Sequence, residues 1–152
     1  MENYKLDNHD RSILRQLELD GRKAHSSIAQ ELNISNTMVN QRIQKMMENG
    51  IINGIKPVIN EKKIGFDWGS FTGLTLEKDM DSGRVIKELK SIPEITECYY
   101  VTGSYTLLVR IIAKSHEHMR DILYHKLDHI KGIKKTDSMV DLGCAFKRNS
   151  PV

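Results

Sequence analysis

The chain has little cysteine, no long apolar run and only a small net charge, and each shortage narrows what it can be. Two of its 152 residues are cysteines. Cys98 and Cys144 stand far apart with no metal-like neighbour spacing, so the expectation is two reduced thiols in an intracellular, cytoplasmic protein. Both fall in predicted strands, where a small buried hydrophobe is expected rather than a nucleophile. No apolar stretch approaches the roughly twenty residues needed to span a bilayer, which argues against membrane residence. Met1 to Tyr4 lacks a basic region followed by an apolar one, so no secretory signal is visible. A phosphate-cradling glycine run is missing too, because Gly65, Gly69 and Gly73 are spaced at four within a predicted strand. His125 and His129 have the spacing of two zinc ligands, but Lys126 stands where a metalloprotease motif would carry glutamate. We read a solvated helix face, no metal and no enzyme.

A net charge of +3 is weak for a protein that binds a polyanion, so the placement of charge matters more than its sum. Arg22, Lys23, Arg42, Lys45, Lys56, Lys62 and Lys63 cluster in the first part of the chain, and Glu48 and Glu61 are the only acids from Asn33 to Lys63. With 39% hydrophobic residues, the chain can hold one ordinary domain or two small ones.

Ser26 to Ile52 reads as two short helices hinged at Asn33-Ile34. Ile28, Ala29 and Leu32 give the first a small apolar face, and Val39, Ile43, Met46 and Met47 give the second a single stripe. Ser35 is placed to cap the second helix, and Gly50 to close it. Outside the stripe lie Thr37, Asn40, Gln41, Gln44 and Lys45, with Arg42 toward the edge. Side chains of this kind suit base edges and phosphates in a DNA-reading helix-turn-helix. A preceding helix is signalled by Leu6 before Asp7, with Asp10 three residues on, and Ile13, Leu14 and Leu17 complete a three-helix core. After the pair, the β-branched run from Ile51 to Ile59, broken at Asn53-Gly54, predicts a short wing or strand. The candidate DNA contacts are therefore Arg22, Ser35, Asn36, Thr37, Asn40, Gln41, Arg42, Gln44, Lys45 and Lys56, with Thr37, Asn40, Gln41 and Gln44 on bases and Arg42 and Lys45 on phosphates.

From about Ile64 the pattern changes, with Lys62 to Gly65 as the hinge. Strands are predicted over 66–77, 95–102, 105–113 and 133–146, and helices over 81–92 and 115–130. The order strand, helix, strand, strand, helix, strand is the ferredoxin-like plan. The fold class is thus α+β, with a helix-turn-helix domain over 1–53, a linker or wing strand over 54–65 and a ferredoxin-like domain over 66–152. Such a sheet leaves one face open. Pairing of open faces gives a homodimer, which also suits two-fold DNA sites about one helical turn apart.

These residues resemble the Lrp/AsnC, or feast-famine, transcriptional regulators over nearly the whole chain. The likeness rests on Leu6-Asp7 with Asp10 and Ile13-Leu14, Gly21-Arg22, Ile28-Ala29 with Leu32, and Ser35 with Thr37, Val39, Arg42 and Ile43. It continues in Gly50-Ile51-Ile52 with Gly54, and in Glu97 to Gly103 with Tyr105. Met1 to Tyr4 and Tyr99 to Thr106 look most like the asparagine-responsive branch. The resemblance implies double-stranded DNA as partner, dimers assembling to octamers, no cofactor, and a small amino acid bound where dimers meet, asparagine favoured. Carried onto this sequence, the effector site is Tyr100, Thr102, Gly103, Ser104, Tyr105 and Thr106, with Thr136, Asp137 and Ser138 as the remaining polar wall. Many relatives carry acids in this loop, where this chain has Ser104 and Thr106. Asp137, Glu97 or a residue of a neighbouring subunit is left to neutralise the ligand's ammonium group. The alternative is an amino-acid-sensing regulatory subunit of an enzyme that never touches DNA, and the polar outer face of the second helix speaks against it.

Overall fold

The computed structural model describes residues 4–77, 82–148 and 152. They fall into two compact units, Met1–Val58 with Lys147–Val152, and Ile59–Phe146. This division differs from the expected limits chiefly in the tail, which groups with the first unit: Arg15 Nε donates to the Val152 carbonyl at 2.7 Å, and Val152 packs against that unit's core.

Three helices build the first unit: α1 (Asn8–Leu19), α2 (His25–Leu32) and α3 (Asn36–Glu48). Asp7 caps α1 through a capping box, its carboxylate accepting from Asp10 N–H at 2.9 Å while Asp10 accepts from Asp7 N–H at 3.1 Å. The two exchanged bonds satisfy backbone donors that a helix start otherwise leaves open. The apolar stripes meet in one core in which Ile13, Ile28, Val39 and Met46 are fully buried. Burial of each such side chain contributes roughly 1.5–3 kcal/mol before conformational entropy is set against it. Met47, expected in the α3 stripe, is instead 43% exposed, because Val39, Ile43 and Met46 already fill the inward side. The expected wing strand is absent among the described residues. Residues 53–60 pair with no strand, and Pro57 has no N–H to offer a ladder, so the segment is left as irregular chain.

The second unit opens with a 3-10 turn, Lys62–Ile64, closed by Gly65 at φ 89°. It then contains β1 (Trp68–Leu76), α4 (Ser82–Lys90), β2 (Ile95–Tyr100), β3 (Leu107–Ala113), α5 (His116–Asp121) and β4 (Ile133–Asp141). The sheet is antiparallel in the order β2-β3-β1-β4, the ferredoxin-like arrangement. One face, with Leu74, Leu107 and Val109, packs on Val85 and Leu89 of α4 and Met119 of α5. Among the described residues no α-helix of this unit covers the other face, where Tyr99 and Met139 are about half exposed. The helix predicted to Ile130 changes to a π turn at Ile122–Leu127, which places His125 inside irregular helix and His129 beyond it. Among the described residues no group of three or more His, Cys, Asp or Glu side chains is arranged to hold a metal ion. The last strand stops at Asp141, whose side chain accepts from Gly143 N–H at 2.8 Å, five residues before the expected limit. Cys98 and Cys144 are exposed rather than buried, since β2 is an edge strand and Cys144 lies past the end of β4.

Candidate DNA-reading face and ligand site

The reading face follows from how α3 is anchored. Asn33 adopts the left-handed conformation at φ 53°, turning the chain sharply between α2 and α3. Ser35 Oγ accepts from Met38 N–H at 3.1 Å and caps α3, and beyond Glu48 Gly50 turns left-handed at φ 68°. With Val39, Ile43 and Met46 inward, Asn36, Thr37, Asn40, Gln41, Gln44 and Lys45 all stand exposed. Gln44 Nε2 donates to Glu48 Oε1 at 3.0 Å along the helix, and Asn40 Oδ1 is hydrogen-bonded to Nδ1 of His25 on α2. Arg22 is exposed in the turn before α2, its backbone N–H on Asp20 at 2.8 Å, and Lys56 is exposed in the irregular segment after α3. Lys23 pairs with Glu31 at 2.6 Å.

Arg42, expected at a phosphate, has a different placement. Its Nη1 lies 2.6 Å from Asp7 and 2.8 Å from Asp10, whose side chain is only 2% exposed. Tyr4 adds a hydrogen bond to the same Asp10 carboxylate at 3.2 Å. The cluster ties α3 to the start of α1. Backbone N–H donation from Asp10, then the Arg42 guanidinium, hold the Asp7 carboxyl below its usual range. Periodicity could not reveal these partners, which lie 35 and 32 residues away in sequence.

In the second unit the loop between β2 and β3 folds over β1. Thr106 N–H donates to Leu74 O at 2.8 Å, Thr75 Oγ1 donates to Ser104 O at 3.3 Å, and Thr106 Oγ1 accepts from Leu76 N–H at 3.4 Å. Gly103 takes φ 105°, which a larger residue adopts only under strain. Tyr105 lies across Gly73, where a Cβ would stand 2.5 Å from its ring, and its hydroxyl donates to Asp137 Oδ2 at 2.6 Å. That bond raises the Tyr105 pKa and keeps the hydroxyl a donor. Tyr100 is exposed, its hydroxyl 3.5 Å from Ser82 Oγ, and Thr102 is exposed in the loop.

The wall of Thr136, Asp137 and Ser138 does not form as one surface. Successive strand residues point to opposite faces. Asp137 pairs with Gly73 on the open face, whereas Thr136 pairs with Leu74 and Ser138 with Thr72 on the helix-covered face, where the Thr72 and Ser138 hydroxyls meet at 2.9 Å. Of the three, Asp137 alone joins Tyr105. Glu97 accepts from Tyr99 at 2.6 Å on β2.

A capped, amide-bearing second helix on a three-helix unit, in one chain with a ferredoxin-like unit, defines a class: helix-turn-helix DNA-binding regulators that carry a ligand-binding domain. Comparison with known proteins agrees along the chain. The winged helix-turn-helix DNA-binding family matches residues 6–53, and the Lrp/AsnC ligand binding domain matches residues 70–149. The chain is 33% identical to the regulatory protein AsnC of Escherichia coli over 142 residues, 93% of each protein. To AsnC of Haemophilus influenzae it is 32% identical over 139 residues, covering 91% of this chain and 93% of the relative. The solved structure of E. coli AsnC superposes with a TM-score of 0.91 at 31% identity, covering 97% of this chain and 99% of the other. A Neisseria meningitidis regulator solved with L-methionine shares the fold, with a TM-score of 0.90 at 17% identity over 97% of both chains. The chain belongs to the Lrp/AsnC family of DNA-binding transcriptional regulators.

Proposed function

We propose that this regulator of amino-acid metabolism reads DNA with the exposed face of α3 and is adjusted by a small amino acid, asparagine favoured, bound at the loop from Tyr100 to Thr106. The observation that carries the ligand reading is Tyr105 laid on Gly73 and bonded to Asp137. The Asp137 carboxylate stands on the loop's side of the sheet and suits an ammonium group, supplying the charge that Ser104 and Thr106 lack. Gly103 lets backbone N–H groups approach an α-carboxylate, and the hydroxyls of Thr102, Ser104 and Thr106 suit a side-chain amide. The methionine bound to the Neisseria relative supports a small amino acid as the ligand class.

In this reading the chain is cytoplasmic and catalyses no reaction. The half-exposed Tyr99 and Met139 on the open sheet face suit a homodimer, and dimers assemble to an octamer with the ligand between them. Effector control then follows from linkage, since a ligand shifts DNA binding only if it favours one arrangement of dimers over another. Titration calorimetry with asparagine, glutamine, leucine and methionine tests the claim. Asparagine is expected to bind most tightly and Asp137→Ala to abolish its heat, while equal indifference to all four amino acids would remove the effector role.

A further inference from the structure

Asn40 stands on the exposed side of α3, in its N-terminal half, where recognition helices present residues to base edges. Its amide is already engaged. His25, the first residue of α2 and half-buried, brings Nδ1 to the Asn40 Oδ1. An amide oxygen carries no proton, so Nδ1 must carry one and donate it. The contact therefore orients the amide, with Oδ1 drawn toward α2 and the two Nδ2 hydrogens left outward.

That orientation has a chemical consequence for readout. Asparagine recognises adenine with both ends of its amide, Nδ2 donating to N7 and Oδ1 accepting from the N6 amino group. With Oδ1 turned toward His25, the group presented outward is the Nδ2 donor. The two outward hydrogens are best matched by guanine, which offers N7 and O6 side by side, or by the O4 of thymine; adenine offers N7 beside an opposing amino group, and cytosine an amino group alone.

We propose that His25 is a specificity-determining residue, one that positions Asn40 as a hydrogen-bond donor and so selects guanine or thymine at one base pair of the operator. The inference rests on the reading of α3 as the DNA-facing helix. His25 acts through Asn40 and needs no contact with DNA of its own.

The test is selection of binding sites from randomised duplexes by the full-length protein, three single variants, His25→Ala, His25→Asp and Asn40→Ala, and the double variant of His25→Ala with Asn40→Ala, with affinity for random competitor DNA and thermal melting measured alongside. Asp is well tolerated at a helix N-terminus, and its carboxylate accepts where histidine donated, which turns the Asn40 amide around. The wild type is expected to prefer guanine or thymine at one position. His25→Ala is expected to move that position toward adenine by about tenfold, and His25→Asp toward adenine or cytosine, with melting and competitor affinity unchanged. Asn40→Ala is expected to erase the preference there, and adding His25→Ala to it to change nothing more. If Asn40→Ala erases the preference but both His25 variants keep it, the role of His25 is overturned and the reading face stands. If Asn40→Ala also keeps it, the reading of Asn40 fails as well. Equal loss on selected and random DNA in the His25 variants would make His25 a general contact and overturn the proposal.

Discussion

The two units solve one problem in different ways. In the first, the residues that hold the fold and those offered to a partner lie on opposite sides of α3, with Val39, Ile43, Met46 and Arg42 turned inward and Thr37, Asn40 and Gln41 outward. In the second, the same residues serve both purposes. Tyr105 covers Gly73, bonds to Asp137, and is also the centre of the proposed ligand site. The first unit can thus change what it reads without refolding, whereas the second cannot change its ligand contacts without disturbing its sheet.

The largest effect is expected at the inward side of the first unit. Asp10→Ala removes a carboxylate shared by Arg42, Tyr4 and the Asp7 backbone and leaves a guanidinium with one partner. A loss of about 3 kcal/mol is expected in denaturant unfolding, the range for breaking a buried ion pair. A loss below about 0.5 kcal/mol would return Arg42 to the outward set and blur the separation of the two sides.

Gly73→Ala tests the double duty of the second unit. The new methyl group must displace the Tyr105 ring, so a stability loss of roughly 1–3 kcal/mol should come together with loss of ligand heat in calorimetry. Destabilisation with unchanged ligand affinity would show that the two purposes are separable after all.

The smallest effect concerns acid. Because the Asp7 carboxyl is held below its ordinary value of 3.8, its contribution is fully present above that pH and is lost as pH falls through the lowered folded value. Asp7 is half exposed, so solvent screening keeps the contribution under about 1 kcal/mol. Melting of Asp7→Asn against the parent should show a gap that narrows below pH 4, and a gap that widens there would reverse the assignment.

What could be read in advance was what is local. The inward stripe of Val39, Ile43 and Met46, the Ser35 cap and the hinge at Asn33-Ile34 follow from neighbours within four residues, and the order of the strands and helices follows from periodicity. What escaped was non-local or one residue out of phase. Whether residues 53–60 form a strand depends on a partner strand, which no pattern inside the segment supplies. Arg42 looks like an edge cation until Asp7 and Asp10 are seen beside it. Thr136, Asp137 and Ser138 share polarity but not a face, and strand alternation applied to the wall would have separated them. The π turn after Asp121 has no signature in residue type that marks it off from the α-helix before it.

The inward placement of Arg42 reaches as far as ionic strength. Each cation that neutralises a DNA phosphate releases condensed counterions and steepens the fall of affinity with salt by a slope of about 0.9 on a double-logarithmic plot. An arginine already neutralised by Asp7 and Asp10 releases none. Operator binding is therefore expected to be shallower in its salt dependence than the tally of basic residues implies, with a larger share of recognition carried by contacts that salt does not screen.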